Sequence, residues 1–132
     1  MLSAISVRDY MAAHLTTFSP EMDILEAIHT LLSNRISGAP VVDKLGTIVG
    51  VLSEKDCIAV ALQTSYYEER AGKVEEFMTR DVKTVSANAS MIEIAKLFLE
   101  TNFRRYPVVD DDGRLVGQIS RRDVLKAMEA LW

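Results

Sequence analysis

The chain has 132 residues, of which 48% are hydrophobic and 26% charged, a composition typical of one soluble globular domain. The absence of any apolar run of ~18 residues argues against a membrane-spanning helix, and the one cysteine, Cys57, excludes an intrachain disulfide. The net charge of -4 disfavours nucleic acid as the main partner, because phosphate contacts need a basic face. The N-terminus lacks a secretory signal pattern, so we expect a cytoplasmic protein.

In chain order, the first half predicts a helical lead-in at 7–11 and a short strand at 15–18. Ser19 followed by Pro20 indicates the start of a helix. The apolar positions that follow have helical spacing; they are Ile24, Leu25, Ile28, Leu31 and Leu32. Two strands, 40–43 and 47–52, are then predicted around a turn in which Gly46 takes a positive φ. A second helix is expected to begin after Ser53.

The second half repeats this pattern. A shift of 67 residues aligns 7–62 with 74–129 without a gap and gives fifteen identities, concentrated between 40 and 56. The second copy accordingly predicts a lead-in at 74–78, a strand at 82–85, a helix, a hairpin with Gly113 in its turn, and a helix after Ser120. A repeat of about 56 residues buries too little surface to be stable alone, so we expect the two copies to pack together.

Two motifs recur at matched spacing in both copies and carry a family resemblance. Pro-Val-Val-Asp begins at Pro40 and at Pro107, and Ser-x-x-Asp occupies 53–56 and 120–123. This pattern resembles the CBS domain pair, or Bateman module, over nearly the whole chain. The resemblance implies an α+β fold of two β-α-β-β-α repeats about a pseudo-twofold axis, with the first repeat at 1–64, a linker at 65–73 and the second repeat at 74–132.

The same resemblance implies a regulatory protein that binds an adenosine-containing ligand in a cleft between the repeats. AMP, ADP and ATP are the favoured ligands, with NAD and S-adenosylmethionine less favoured. By position, the ribose would bind Asp56 or Asp123, the phosphate would face Ser53 or Ser120, and the adenine pocket would be lined by Thr17, Thr84 and the backbone at Ala39 and Tyr106.

The residue chemistry is consistent with such a ligand. A carboxylate only accepts hydrogen bonds, and a ribose diol offers two donors. Arginine matches phosphate oxygens with a bidentate fork, and the second repeat carries Arg104, Arg105, Arg121 and Arg122 near its motifs. We therefore expect two unequal sites, with phosphate recognition favoured in the second repeat; the sequence does not determine whether one site is empty.

Each of these residues also has a purely structural interpretation. Ser-x-x-Asp is a helix-capping pattern, and an aspartate used by the cap competes with one used by ribose. The arginines can form a solvated face that balances Asp110, Asp111 and Asp112. Tyr106 can stack on adenine or fill the space where adenine would lie.

The sequence contains no nucleophile–base pair, metal-ligand cluster or phosphate-binding glycine loop, so we predict that the chain is not an enzyme and has no catalytic cofactor. The resemblance implies a homodimer, and because no fused enzyme or channel is visible we expect signalling to a separate, unidentified protein. No membrane partner is expected. The alternative is a ligand-free interaction module that oligomerises through its apolar helices.

Overall fold

A computed structural model describes residues 1–63 and 72–132 and has a mixed α+β fold with four α-helices and two small sheets. It divides into two compact units. Unit 1 comprises Met1–Leu15 and Lys83–Trp132, and unit 2 comprises Thr16–Val82. The repeats at 1–64 and 74–132, defined by sequence similarity, are therefore not the compact units, because each unit contains the lead-in of the other repeat. Most of the linker predicted at 65–73 lies outside the described residues.

Unit 2 is a helix–hairpin–helix arrangement. Helix α1 covers Ile24–Asn34, strands β1 and β2 cover Gly38–Val42 and Ile48–Ser53, and helix α2 covers Glu54–Gln63. The strands are antiparallel, with Gly38 opposite Ser53 and Pro40 opposite Val51. Side chains from the helix, the hairpin and the adjoining loops bury a core whose largest fully buried members are Phe18, Ile24, Val41, Leu52 and Val74.

Unit 1 repeats the arrangement with a third strand. The short strand β3 (Val85–Ser86) precedes helix α3 (Met91–Glu100), strands β4 (Arg105–Val109) and β5 (Leu115–Ser120), and helix α4 (Arg121–Ala130). Strand β3 pairs in parallel with β4, which pairs antiparallel with β5. The largest fully buried side chains of this core are Val7, Met91, Val108 and Ile119.

The hairpin turns confirm the predicted role of the glycines. Gly46 has φ 84° and Gly113 has φ 80°, a region that favours glycine because it has no Cβ. The aspartate before each turn stabilises it through one carboxylate oxygen. Asp43 Oδ1 accepts from the backbone N–H groups of Leu45 and Thr47 at 2.9 and 3.0 Å. The final Asp of Pro-Val-Val-Asp is thus a turn residue.

The strands predicted at 15–18 and 82–85 are wrong in extent. The first is reduced to Phe18, which bridges Val41 in parallel through N–H···O bonds of 2.9 Å to Pro40 and from Val42. The second is present only as the two-residue strand β3, Val85–Ser86. Both predicted strands begin at a boundary between the units, at Leu15/Thr16 and Val82/Lys83.

The predicted cap of the first long helix is also wrong. Helix α1 begins at Ile24, and Asp23, not Ser19, is its N-cap, with Oδ1 accepting from Leu25 N at 2.9 Å. One repeat length later, Ser90 Oγ accepts from Glu93 N at 3.3 Å at the start of α3. Acidic and hydroxyl side chains at this position satisfy N–H groups that the first helical turn leaves free.

Each exchanged lead-in is attached to a hairpin by a two-bond antiparallel bridge. Ala12 and Gln118 exchange N–H···O bonds of 2.9 Å in unit 1, and Thr79 and Val51 do the same in unit 2. Ala12 and Thr79 are equivalent under the repeat shift. The bridge therefore places position 12 beside β5 and position 79 beside β2, close to the ends of the strands that carry the Ser-x-x-Asp motifs.

Candidate functional site

In each unit the Ser-x-x-Asp motif forms the corner where the hairpin ends and the last helix begins. In unit 2, Asp56 Oδ2 accepts from Ser53 N at 2.9 Å and from Ser53 Oγ at 3.0 Å, and Asp56 N donates to Ser53 Oγ at 3.2 Å. Ser120 and Asp123 make the same three bonds at the same distances in unit 1. The motif is therefore a capping box in both units, as the structural interpretation predicted.

The cap uses only one oxygen of each carboxylate, so the other can serve a second purpose. In unit 2, Thr79 Oγ1 donates towards Asp56 at 3.2 Å from Oδ1 and 3.4 Å from Oδ2. In unit 1 the equivalent residue is Ala12, which has no hydroxyl. Asp123 Oδ1 accordingly has no hydrogen-bond donor among residues 1–63 and 72–132. Both aspartates are half-buried.

Thr79 is not among the site residues predicted from the sequence. Its signal was present in the repeat alignment, where a hydroxyl residue follows Met78 and alanine follows the equivalent Met11. The contact with Asp56 could not be foreseen because it depends on the exchange of the lead-ins between units.

The four predicted arginines lie at one end of the unit 1 hairpin. Arg105 is directly opposite Ser120 in the strand register, and Arg121 N donates to Arg104 O at 3.1 Å. Arg121 Nε also donates to Phe103 O at 3.1 Å, which fixes this guanidinium near the start of β4. All four side chains are exposed.

The aspartates of the β4–β5 turn lie at the other end of the hairpin from the arginines. No ion pair joins any of the four to a carboxylate within the described residues, and both the solvated face and phosphate binding stay predictions. The equivalent positions in unit 2 are Ser37, Gly38, Glu54 and Lys55, whose formal charges sum to zero. The two corners share their backbone bonds, since Glu54 N donates to Ser37 O at 2.9 Å, but they differ by four positive charges.

The remaining predicted residues are distributed around the two units. Thr17 and Thr84 are exposed and precede the buried Phe18 and Val85. Ala39 is buried on β1, opposite Leu52. Their predicted role in lining an adenine pocket stays a prediction.

Tyr106 fills the core of unit 1. Its side chain is 2% exposed, and its ring packs against Phe98 and Phe103 with centroid separations of 5.1 and 5.4 Å. Its hydroxyl shares a 2.6 Å hydrogen bond with Thr101 Oγ1. The Tyr106 side chain therefore fills space in the core and does not offer a free ring for stacking on adenine. Only the backbone of Tyr106 remains a candidate for lining an adenine pocket.

The Cys57 thiol and the possible metal-ligating side chains give no evidence for a reactive or metal site in the described residues. Burial raises the pKa of the Cys57 thiol, and the negative charges of Asp56 and Glu54 raise it further, so the thiol is protonated near neutral pH. Within residues 1–63 and 72–132, no three His, Cys, Asp or Glu side chains group as a metal site. No helix in the same residues is both long and apolar enough to cross a bilayer.

Comparison with known proteins identifies the family. The CBS domain model matches residues 7–62 and 74–130. The chain belongs to the CBS domain family. It is 32% identical over 133 residues to the uncharacterized protein MJ1225 of Methanocaldococcus jannaschii, covering 99% of this chain and 46% of that protein. The chain thus spans about half the length of this relative.

Solved structures of CBS pairs have the same fold. CBSX2 of Arabidopsis thaliana in complex with AMP superposes with a TM-score of 0.82 at 32% identity and covers 97% of this chain and 98% of its own. The cytosolic domain of the Mg²⁺ channel MgtE in complex with ATP gives a TM-score of 0.73 at 30% identity, covering 89% of this chain and 46% of its own. The predicted tandem CBS fold is confirmed.

Proposed function

We propose that the chain is a non-catalytic regulatory module that binds an adenine nucleotide at its Ser-x-x-Asp corners. The observation that carries the proposal is Asp123, whose cap-held carboxylate leaves Oδ1 without a donor in the described residues, at the end of the hairpin that carries four arginines without ion pairs in those residues. A carboxylate accepts from a sugar diol, and guanidinium groups donate to phosphate. The complexes of CBSX2 with AMP and of MgtE with ATP support the ligand class.

Regulation requires that the ligand bind two states of the module with different affinity. A nucleotide that favours one arrangement shifts the population towards it by that difference in binding free energy. A separate protein that contacts only one arrangement would then respond to nucleotide concentration. The chain offers binding groups but no reacting pair at its corners, which fits a sensor and not a nucleotide hydrolase.

A thermal-shift panel tests this function. We expect at least one of AMP, ADP, ATP, NAD and S-adenosylmethionine to raise the unfolding midpoint by several degrees, because a ligand at ~100 times its Kd adds ~2.7 kcal/mol of stability. Inorganic tripolyphosphate and GTP serve as controls for phosphate alone and for the base. If no adenosine compound shifts the midpoint at millimolar concentration, the ligand-free interaction module becomes the better account.

A homodimer is the assembly we propose for the module. The helices of each unit expose apolar side chains at equivalent positions, and exposed apolar patches mark interaction surfaces. The equivalent pairs are Leu25 and Ile92, Leu32 and Leu99, and Ile58 and Leu125. A second copy is the partner we favour, because a twofold interface buries the same patch on both chains.

Introducing a negative charge on the exposed apolar helix faces tests the proposed dimer. Leu32 is 70% exposed and Leu99 is 88% exposed, so the double variant Leu32→Glu/Leu99→Glu should fold normally. We expect its dimer dissociation constant to rise at least ~tenfold in sedimentation velocity, because a buried unpaired carboxylate is costly. Leu45, 71% exposed in the β1–β2 turn, gives the matched control Leu45→Glu. A wild-type chain that sediments as a monomer at tens of micromolar would refute the dimer.

A further inference from the structure

Given that proposed function, we propose that the two corners are not equivalent. The unit 1 corner binds the phosphate-bearing nucleotide, whereas in unit 2 the Thr79 hydroxyl occupies the carboxylate that would otherwise bind the sugar. Thr79 is thus an internal substitute for a ribose hydroxyl. Two independent observations carry this inference: the hydrogen bonds to the aspartates and the charges around them.

The backbone fixes Thr79 beside Asp56. Its N–H and C=O both bond to Val51 at 2.9 Å, so the hydroxyl projects from an anchored residue and not from a free loop. With Ser53 N and Ser53 Oγ already donating to Oδ2, the Thr79 hydroxyl is the third donor to this carboxylate and the one that approaches Oδ1. A sugar hydroxyl arriving at Asp56 must displace it or share its acceptor.

The same backbone bridge carries no donor in unit 1. Ala12 N–H and C=O bond to Gln118 at 2.9 Å, so its methyl group corresponds to the Cβ of Thr79 and Ala12 has no atom equivalent to the Thr79 hydroxyl. A methyl group cannot donate, so Asp123 keeps Oδ1 open among the described residues. Because position 12 is exposed, a larger polar residue could be introduced there without disturbing the core.

The charges around the two corners favour the same assignment. Arg104, Arg105, Arg121 and Arg122 lie at the same end of the hairpin as the open carboxylate, as the strand register and the Arg121–Arg104 backbone bond show. At the equivalent positions of unit 2, the positive charge of Lys55 is cancelled by the negative charge of Glu54. A polyphosphate therefore gains charge-assisted bonds in unit 1 and meets no net attraction in unit 2.

Calorimetric titration of the full chain tests the assignment. We expect wild type to bind one ATP per chain, and Asp123→Asn to weaken it ~tenfold or more, because asparagine keeps one acceptor oxygen for the cap but replaces the open acceptor Oδ1 with an NH2 group that cannot accept from the sugar. With adenosine as the probe, Thr79→Val should raise the stoichiometry from one to two, since valine keeps the shape and removes the donor. Thr79→Ser retains the hydroxyl and should remain at one.

The reciprocal change is Ala12→Ser, which introduces a donor beside Asp123 and should weaken ATP binding ~tenfold. The proposal that only the unit 1 corner binds ATP would be wrong if two ATP molecules bound per wild-type chain, or if Asp123→Asn left the affinity unchanged. Either result would leave nucleotide binding itself intact. Weaker adenosine binding in Thr79→Val would also overturn it, because Thr79 would then orient Asp56 for the sugar. Failure of wild type to bind any nucleotide would remove the proposed function itself.

Discussion

Replacing Arg105 and Arg122 together by alanine is expected to weaken ATP binding by ~100-fold or more. Each guanidinium that bonds a phosphate contributes ~1.5–3 kcal/mol as a charge-assisted hydrogen bond, and two such losses multiply. These two arginines suit the test because both are exposed and neither side chain has a hydrogen-bond partner in the described residues. Arg121 is left in place because its Nε bond to Phe103 also supports the corner.

The change should be specific to phosphate. We expect adenosine affinity and the unfolding midpoint to stay close to wild type in calorimetric and thermal titrations, because adenosine has no phosphate. Lys55→Ala, at the unit 2 position equivalent to Arg122, is the matched control and should leave ATP binding unchanged. An equal loss of ATP and adenosine, or no loss of ATP, would show that these arginines do not bind the phosphate chain.

Gly117→Ala is expected to destabilise unit 1 by about 1–3 kcal/mol, the usual range for forcing an extra methyl into a packed site. A Cβ at this position would lie 2.7 Å from Ala12 O and 2.7 Å from Met11 Sδ. The methionine can move, but the carbonyl belongs to the bridge that holds the exchanged lead-in on β5. The unfolding midpoint should therefore fall by several degrees.

The location of the damage distinguishes this cause from a general loss of stability. Amide exchange should accelerate in residues 1–15 and not in α1 or β1, because the lead-in belongs to unit 1. Gly50→Ala is the comparison in unit 2, where the nearest backbone atom, Thr79 O, is 3.0 Å from the added Cβ. We expect a smaller fall there. A Gly117→Ala midpoint within about one degree of wild type would contradict the importance of the close approach.

Much of the local structure was predictable because its causes are local. The hairpins follow from a turn that Asp43 and Gly46 specify within a few residues, and the helices after Ser53 and Ser120 follow from caps that span three residues. The capping boxes were one of the two interpretations weighed. The start of α1 is not determined by local sequence, because Ser19 and Asp23 both carry cap-forming side chains; in the structure Asp23 is the cap.

The features that escaped prediction depend on contacts between distant segments. Ala12 pairs with Gln118, and Thr79 with Val51, across long stretches of chain, and no periodicity in the sequence reports such pairings. The same exchange brings the Thr79 hydroxyl to Asp56. Tyr106 remained ambiguous because an aromatic residue suits both a base and a core, and only its contacts with Phe98 and Thr101 decide for the core.

A crystal structure of the chain grown with ATP would show which corner binds the nucleotide. We expect density for one nucleotide, with a ribose hydroxyl within hydrogen-bond distance of Asp123 and phosphate oxygens against the arginines of the unit 1 corner. It also predicts that the Thr79–Asp56 contact persists with no sugar at Asp56. Density for the sugar at Asp56 and none at Asp123, or a nucleotide bound away from both carboxylates, would contradict it.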